Sequence, residues 1–461
     1  MTTTPLPFLI PRGARPAEQP PAAPALTLDP ALAPIHTLDL ELSAPASVRP
    51  AGRETTDWSK VTGSLLALVR LHGAPLGFVQ ARVEDPAAIL DTLTAAARRE
   101  LAGPIARHER EDRLASSDTA APDGRPVARC TRRRLSALAA APPISVIVAT
   151  RERPDLLARC LDSLTRMPYP QLEIIVVDNA RETPRAEQLI RERYADRVSY
   201  VQEPHKGLAA AHNRGLREAG GRIIAFTDDD VIADREWPAA LAEGFTARDD
   251  VGCVTGLIVP AELETPAQVM LEAEGGFTKT FEQRAHYLGR PGAGPLFPFT
   301  VGQLGSGANM AFDADLLRRL GGFDPATGTG SAARGGDDLL AFFRTITAGR
   351  SIVYQPTAVI WHHHRRTMDA LKTQAYGYGV GLGAYLTAAI AHQPRMLPRM
   401  IRALPRGIKY EIEHSRPTLC DPGVKPARLA ATQRMGLLYG PLAYARARRD
   451  VRVRERAAES A

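Results

Sequence analysis

The sequence is poor in cysteine, and its four cysteines are widely separated. Cys130, Cys160, Cys253 and Cys420 form no C-x-x-C pair, and none has a histidine at the spacing of a metal motif. This absence argues against a zinc site and against a disulfide framework, and it favours a reducing compartment. The proline-rich start of the chain also lacks a charged head followed by an apolar stretch. We therefore expect no secretion signal there.

Long apolar runs are absent as well. The segment nearest to a membrane span, residues 373–394, has no charged side chain but is rich in glycine. We interpret it as a helix packed on the rest of the protein, or as one lying at a membrane surface. The formal net charge of +7 is concentrated C-terminal of Arg395. A basic end of this kind suits a solvated helix as well as contact with an anionic membrane.

The pattern of the chain divides its 461 residues into five parts. In chain order these are a disordered tail at 1–35, a small α/β accessory domain at 36–108, a linker at 109–142, a large α/β domain at 143–370, and a helical, basic region at 371–461. Within the accessory domain, two apolar runs flank a turn at residues 72–75 and predict a hairpin. A helical pattern follows it.

Strands and helices alternate in the large domain. Residues 144–149 are almost wholly apolar, which is typical of a strand buried on both faces, and Pro154 then begins a helical pattern. Repeated alternation predicts a mostly parallel, Rossmann-like sheet with helices on both faces. Polar segments follow three of the strands, at 150–153, 178–179 and 228–230. Because ligands bind beyond the carboxyl ends of parallel strands, these segments predict one shared site.

A glycine-rich turn is missing where a dinucleotide-binding fold requires one. The turn after the first strand, residues 150–154, contains no glycine, which excludes that fold. The predicted strand at residues 222–227 instead ends in three consecutive carboxylates, Asp228, Asp229 and Asp230. Such charges repel one another unless a cation such as Mg²⁺ or Mn²⁺ neutralises them. A solvated turn between strand and helix is the alternative interpretation.

A series of motifs over residues 143–367 then carries a resemblance to a known family. In order, they are SVIVATRERPDLLARCLDSL, EIIVVDNA, GLAAAHNRGL, AFTDDDV, GSGANMAF, GGFD, GGDDLLAFFR and VIWHHHRR. Each motif is weak alone, but the ordered set resembles the inverting, nucleotide-sugar-dependent glycosyltransferases of family 2. The resemblance implies a GT-A fold, preceded here by a small α/β module and followed by a helical C-terminal region.

The resemblance implies a nucleotide-binding set in the first half of the large domain. Its members are Thr150, Glu152, Asp178, Asn213, Asp228 and Asp229. The first three would hold uracil or another base, and Asp228 would contact the ribose. Asp230 would bind Mg²⁺ or Mn²⁺ at the donor diphosphate, and a UDP-sugar is the expected donor. The family often has arginine where this chain has His212.

The second half of the domain supplies the other predicted groups. By resemblance, Asp338 would be the general base and Asp337 would assist it; two carboxylates at a helix start also suit simple capping. His362 and His364 alternate onto one side of an extended segment and are the expected metal ligands, with Arg365 or Arg366 near phosphate. A structural histidine cluster is the alternative.

The whole sequence predicts a metal-dependent, inverting glycosyltransferase of cell-envelope, polysaccharide or glycolipid synthesis. Its expected partners are the nucleotide-sugar donor and a glycan or lipid-linked hydroxyl acceptor, and no nucleic acid is expected. We expect a cytoplasmic protein, with peripheral attachment to the inner face of the plasma membrane as one arrangement. Two alternatives are a catalytically silent GT-A domain that binds sugar nucleotide or glycan, and a nucleotidyltransferase. The latter class needs an early glycine-rich phosphate loop, which is missing here.

Overall fold

The structure is a computed structural model of the chain. It describes residues 28–43, 45–52, 57–113, 128–273, 276–277, 280–290, 294–414 and 426–459. Most of the predicted tail, residues 1–27, lies outside this part of the chain. The end of that tail is ordered, in contrast to the prediction, because Leu28 and Ile35 are buried in a small apolar cluster with Leu263 of the large domain.

The accessory domain is a four-stranded sheet with helices packed on it. Its elements are β1 (Ile35–Glu41), β2 (Ser47–Pro50), β3 (Gly63–Leu71), β4 (Ala74–Val83), α1 (Ile89–Glu100) and α2 (Ala102–Arg113). The strand order is β2-β1-β3-β4, and β3 and β4 form the predicted hairpin. Leu93 and Ala97 lie one helical turn apart on α1 and pack with Leu65 and Val79 of the hairpin.

The predicted linker, residues 109–142, contains ordered helix at both ends. It includes the last residues of α2 and all of helix α3 (Arg129–Ala140), while residues 114–127 lie outside the described residues. Helix α3 is held because Ala137 is buried and Arg134 Nη1 lies 2.5 Å from Glu236 Oε2 of the large domain. The charged and alanine-rich composition of this stretch did not reveal those tertiary contacts.

The large domain alternates strands and helices as predicted. Its elements are β5 (Ile144–Thr150), α4 (Pro154–Leu164), β6 (Leu172–Asn179), α5 (Arg185–Arg193), β7 (Ser199–Glu203), α6 (Leu208–Glu218), β8 (Ile223–Asp228), β9 (Val231–Ala233), α7 (Trp237–Phe245), β10 (Val251–Pro260), α8 (Pro266–Ala273), β11 (Arg284–His286), β12 (Met310–Asp313), α9 (Ala314–Arg319), α10 (Asp337–Thr347) and β13 (Ser351–His362).

These strands form one sheet in the order β11-β13-β10-β12-β8-β5-β6-β7, with β9 paired to β13. Strand β5 is parallel to β6 and β8, and β10 is parallel to β13, whereas β12 is antiparallel to both of its neighbours. Val146 and Val148 of β5 enter one apolar core and Ile147 enters a second one. Alternate side chains of a strand point to opposite faces, so the sheet is covered on both sides, as expected.

Three helices complete the chain: α11 (Met368–His392), α12 (Leu397–His414) and α13 (Pro426–Glu459). Helices α11 and α13 pack through glycine, because a Cβ at Gly379 would overlap the carbonyl oxygen of Gln433, and one at Gly383 would overlap that of Leu437. Helix α11 thus packs on the rest of the protein, the first of its two predicted arrangements. Among the described residues, no helix is long and apolar enough to span a bilayer.

Candidate active site

The register of the sheet brings the predicted polar segments to one edge. Thr150 at the end of β5 pairs with Asp178 of β6, and Ala149 pairs with Asp228 of β8. All three strands are parallel, so their carboxyl ends open on the same side. The shared site predicted from the three strand ends is therefore present as a geometric arrangement.

The three consecutive aspartates have different surroundings. Asp229 is almost fully buried and accepts hydrogen bonds from Thr150 Oγ1 at 2.8 Å and from Arg153 Nη1 at 3.1 Å. Arg153 Nη1 also donates to Asp230 Oδ2 at 3.2 Å. Asp228 remains partly exposed. Thr150 and Arg153 thus position the acidic turn, and the hydroxyl of Thr150, predicted to contact a base, is engaged with Asp229 in this structure.

The surroundings of these three carboxylates change their pKa values. Although Asp228 is partly exposed, desolvation by the surrounding protein and the charges of Asp230 and Asp229 raise its pKa well above the ordinary value. Burial and Asp230 likewise raise the pKa of Asp229 to about 6. Burial also opposes ionisation of Asp230, but His362 and Arg153 beside it hold its pKa below the ordinary value. Such a cluster is stabilised by a cation that offsets the crowded negative charge.

Asp228, Asp230 and His362 form a candidate divalent-cation site. One ligand atom from each lies within 4.8 Å of the others. His362 Nε2 is 3.4 Å from Asp230 Oδ1, and that buried oxygen accepts no hydrogen bond from any residue in the described ranges. Burial lowers the pKa of His362 to about 4, so its imidazole is neutral and offers a lone pair. Two carboxylates and an imidazole suit Mn²⁺ and Mg²⁺.

His364 lies behind His362 rather than beside the carboxylates. The Nδ1 atoms of the two rings are 2.9 Å apart, and His364 Nε2 is 2.7 Å from Glu272 Oε1 on α8. If His364 donates Nε2–H to Glu272, its Nδ1 accepts from His362 Nδ1–H, which leaves His362 Nε2 free to bind a cation. Both nitrogens of His364 are thereby used, so the structure does not support our prediction of a direct metal contact by His364.

Glu272 was not identified from the sequence. It belongs to no motif, and it reaches the histidines only because α8 folds back against the end of β13. His363 points elsewhere, with Nδ1 3.6 Å from Glu262 Oε2. The expected alternation of the three histidines is therefore present.

The predicted base-binding residues Asp178 and Glu152 differ in their hydrogen-bond partners. Asp178 is buried and accepts a hydrogen bond from Tyr200 Oη at 2.8 Å, while its Oδ1 accepts none from the described part of the chain. Glu152 instead accepts from the backbone N–H groups of Glu182 and Thr183, at 2.7 and 2.9 Å. Asp178 Oδ1 is thus a buried acceptor at the end of β6, whereas Glu152 holds the loop that follows β6.

Both polar atoms of the Asn213 side-chain amide form hydrogen bonds with the protein backbone. Its Nδ2 donates to the Phe323 carbonyl and its Oδ1 accepts from the Phe323 N–H, each at 2.8 Å. The neighbouring His212 is buried against Phe226 and Phe323, and its Nδ1 lies 3.6 Å from Asp337 Oδ2. Helix α6, which carries His212 and Asn213, therefore lies close to the start of α10. The contact of Asn213 with a nucleotide stays a prediction.

Asp337 and Asp338 begin α10, and the charge of Asp337 acts on Asp228. Asp338 accepts from the N–H of Gly307 at 2.9 Å and from that of Leu339 at 2.8 Å. Burial and the charge of Asp337 raise the pKa of Asp338 to about 6. The charge of Asp337 also raises the pKa of Asp228, so the acidic groups at the start of α10 lie close enough to the acidic turn to interact with it.

A cleft of about 1600 Å³ lies on the accessory-domain side of this site. Its walls include Asp39 and Arg70 from the accessory domain and Asp230, Arg365 and Arg366 from the large domain. Arg70 joins the two domains, because its Nη2 lies 2.9 Å from Oδ2 of Asp234, the residue directly after β9. The accessory domain thus packs directly against the segment that follows the acidic turn.

Comparison with known proteins assigns a family to part of the large domain. Residues 145–302 match the family model described as Glycosyl transferase family 2. Residues 145–302 thus match this family, and the resemblance inferred from the motifs is confirmed.

Curated relatives match over part of their length. The chain is 27% identical over 261 residues to a pre-mycofactocin glycosyltransferase of Mycobacterium tuberculosis, covering 56% of this chain and 50% of that protein. It is 24% identical over 197 residues to a glucosyl-dolichyl phosphate glucuronosyltransferase of Haloferax volcanii, covering 40% and 57%. The chain therefore spans about half the length of the curated relatives it matches.

Among solved structures, a mannosyltransferase of Pyrobaculum calidifontis in complex with GDP-Man and Mn²⁺ is similar, at 21% identity and a TM-score of 0.39. The match covers 69% of this chain and 82% of that one.

Proposed function

We propose that this chain is a metal-dependent, inverting glycosyltransferase that moves a sugar from a nucleotide-diphosphate donor to a hydroxyl acceptor. The observation that carries the proposal is the grouping of Asp228, Asp230 and His362 at the strand ends. Asp338 begins helix α10 beside Asp337, whose charge acts on Asp228. The match of residues 145–302 to family 2 supports this choice over unrelated chemistries that use paired carboxylates.

On the donor side, Asp178 is the residue whose side chain is best oriented to bind the base. Its free Oδ1 would accept an imide N–H, while Tyr200 holds the other oxygen in place. Uracil and thymine both present such a group; we propose a UDP-sugar, with dTDP- and GDP-sugars as the donors to test against it. Asp228 would contact the ribose, while Asp229 would keep the turn in shape through Thr150.

Asp228, Asp230 and His362 would hold Mg²⁺ or Mn²⁺. Such a cation, when bound, stabilises the negative charge that a departing diphosphate develops. Arg365 adds positive charge nearby, because its Nη1 lies 3.9 Å from Asp230 Oδ2. Arg366 is less suited, since its guanidinium is held by Glu262 at 2.6 Å and by Glu264 at 2.8 Å.

On the acceptor side, Asp338 would act as the general base. Its carboxylate would take the proton of the acceptor hydroxyl while that oxygen forms a bond to the anomeric carbon. The bond from that carbon to the diphosphate oxygen breaks on the opposite face, and the electron pair leaves with the nucleoside diphosphate. Attack from that face inverts the anomeric centre. Hydrogen bonds from Gly307 and Leu339 would keep the carboxylate oriented.

The competing proposal is a catalytically silent domain that binds sugar nucleotide or glycan. Calorimetry with UDP, with and without Mn²⁺, followed by donor hydrolysis across UDP-, GDP- and dTDP-sugars, separates the two. We expect Mn²⁺-dependent binding and hydrolysis, both lost in Asp230→Ala and retained in the exposed control Asp249→Ala. Binding without turnover of any donor would favour the silent domain. Equal UDP affinity with and without Mn²⁺ would remove the metal from the proposal.

For the acceptor, we propose a glycan or lipid-linked hydroxyl used in cell-envelope or polysaccharide synthesis on the cytoplasmic side. An exposed apolar row on α13 supports peripheral contact with an anionic membrane: Met435, Leu438 and Leu442 are 67%, 83% and 63% exposed. They recur at three- and four-residue spacing, beside a basic end of the chain. Flotation with anionic liposomes tests this, and loss of binding in the triple serine variant is expected. Absence of wild-type binding would remove the membrane from the proposal.

A further inference from the structure

A second cluster of metal-binding side chains lies in the accessory domain, away from the strand ends. His72 occupies the turn between β3 and β4, His108 and Asp112 lie one turn apart on α2, and Cys130 belongs to the first turn of α3. Three separate parts of the fold therefore contribute to one cluster. One ligand atom from each of the four residues lies within 4.8 Å of the others.

The distances match those between the ligands of a tetrahedral ion. His108 Nε2 is 3.2 Å from Asp112 Oδ2, and Cys130 Sγ is 3.4 Å from that oxygen and 3.6 Å from His108 Nε2. Ligands bound 2.0–2.3 Å from a tetrahedral zinc ion are separated by roughly 3.3–3.8 Å. His72 Nδ1 lies closer, 2.8 Å from Asp112 Oδ2, and a small rotation of its ring would complete the set.

We propose that His72, His108, Asp112 and Cys130 bind a structural zinc ion. One thiolate, two neutral imidazoles and one carboxylate form a mixed donor set that zinc favours over Mg²⁺ or Ca²⁺. The two negative ligands balance the charge of the ion. Four protein ligands leave no open position for a substrate, so the site is structural and separate from the proposed chemistry at Asp230.

The protein around the cluster already holds several ligands in place. Asp112 Oδ1 accepts the N–H of Cys130 at 3.1 Å, which fixes the start of α3 against α2. The N–H of His72 donates to Glu41 Oε1 at 3.0 Å, and that of Gly73 donates to Glu41 Oε2 at 2.9 Å. Supporting hydrogen bonds of this kind orient metal ligands and are typical of built sites.

Ion binding would also change the charge of the cluster. Zinc would replace the proton of the Cys130 thiol and place a dication between thiolate and carboxylate.

The structural consequence is a link between the two domains. The cluster joins the β3–β4 hairpin to α2 and α3, and α3 in turn contacts the large domain through Arg134 and Glu236. A bound ion would therefore fix the end of the accessory domain relative to the domain that carries Asp230. Sequence spacing did not predict this site, because its ligands come from distant segments and only His108 and Asp112 have a motif-like separation.

The test is zinc content of the full chain, measured by mass spectrometry after expression with zinc and dialysis against a weak chelator. We expect about one zinc per chain in the wild type and almost none in Cys130→Ser and His108→Gln. Glu111→Gln is the matched control, since Glu111 is exposed on the same helix next to Asp112. Circular dichroism of each variant shows whether it is folded.

Cobalt replacement distinguishes this cluster from the carboxylates near Asp230. A Co²⁺–thiolate pair gives a charge-transfer band in the near ultraviolet, which a site of carboxylates and imidazole does not. We expect this band in the wild type and in Asp230→Ala, and its loss in Cys130→Ser. Folded wild-type protein that retains no zinc and shows no thiolate band would overturn the proposal. Equal zinc content in the wild type, Cys130→Ser and His108→Gln would do the same.

Discussion

Replacing Asp338 with asparagine tests the centre of the proposed mechanism. The substitution keeps the size of the side chain and one carbonyl oxygen, but the amide does not accept a proton at neutral pH. That oxygen replaces only one of the two acceptors now used by the N–H groups of Gly307 and Leu339. We therefore expect a folded protein with two effects of different size, one on transfer and one on stability.

The effect on transfer should be the larger of the two. A positioned general base contributes about 10²–10⁴-fold, or roughly 3–5 kcal/mol of barrier. Loss of one buried hydrogen bond costs about 1–3 kcal/mol of stability. Nucleotide binding should stay near the wild-type value, because the residues around Asp178 and Asp230 are unchanged. Asp315→Asn is the matched control, since Asp315 is an exposed carboxylate in the first turn of α9.

The pH dependence of the transfer rate is an independent test of the role of Asp338. Burial and Asp337 raise the pKa of Asp338 to about 6, so the neutral acid persists to higher pH than for an ordinary aspartate. The ionised base therefore accumulates as pH rises, and the transfer rate should increase between about pH 5 and 7. In Asp338→Asn this rise should disappear. Transfer within about threefold of wild type, with the rise intact, would refute the assignment of the base.

Three further changes test other parts of the structure. Glu272→Gln should weaken Mn²⁺ affinity about 10–100-fold in a metal titration, because the histidine pair loses its anionic partner; unchanged affinity would contradict the proposed proton arrangement. Arg365→Ala should weaken UDP binding by about tenfold in calorimetry, as loss of a charged contact costs at least ~1.4 kcal/mol, whereas Arg366→Ala should not. Gly379→Ala should lower the unfolding free energy by at least about 1–3 kcal/mol, since its Cβ overlaps the backbone of α13. In Gly377→Ala the nearest such atom is 4.0 Å away, so this variant should unfold like the wild type.

The strand ends show why much of the site was predictable. Buried parallel strands have a recognisable apolar pattern, and their carboxyl ends must meet at one edge once the sheet forms. The sequence therefore predicted that Thr150, Asp178 and Asp228 lie together. The register of β5, β6 and β8 agrees with this prediction. The roles assigned to these residues came from the family resemblance and stay predictions until the variants above are measured.

Local pattern was less informative wherever a contact joins distant segments. Periodicity placed His362 and His364 on one side, but not their order relative to the carboxylates. The position of Glu272 on α8 determines that order, since it engages His364 and leaves His362 facing Asp230. The sequence also did not show that both polar atoms of the Asn213 side-chain amide form hydrogen bonds with the backbone of Phe323.

Hydrophobic periodicity and turn residues, which act over a few positions, were thus sufficient for the alternation of strands and helices and for the acidic strand end. Tertiary packing alone selected which side chains share a site, because that depends on contacts between residues far apart in the chain. The grouping of His72, His108, Asp112 and Cys130 is the clearest case: cysteine spacing argued against zinc, and only the packing of α2 and α3 on the hairpin brings these ligands together.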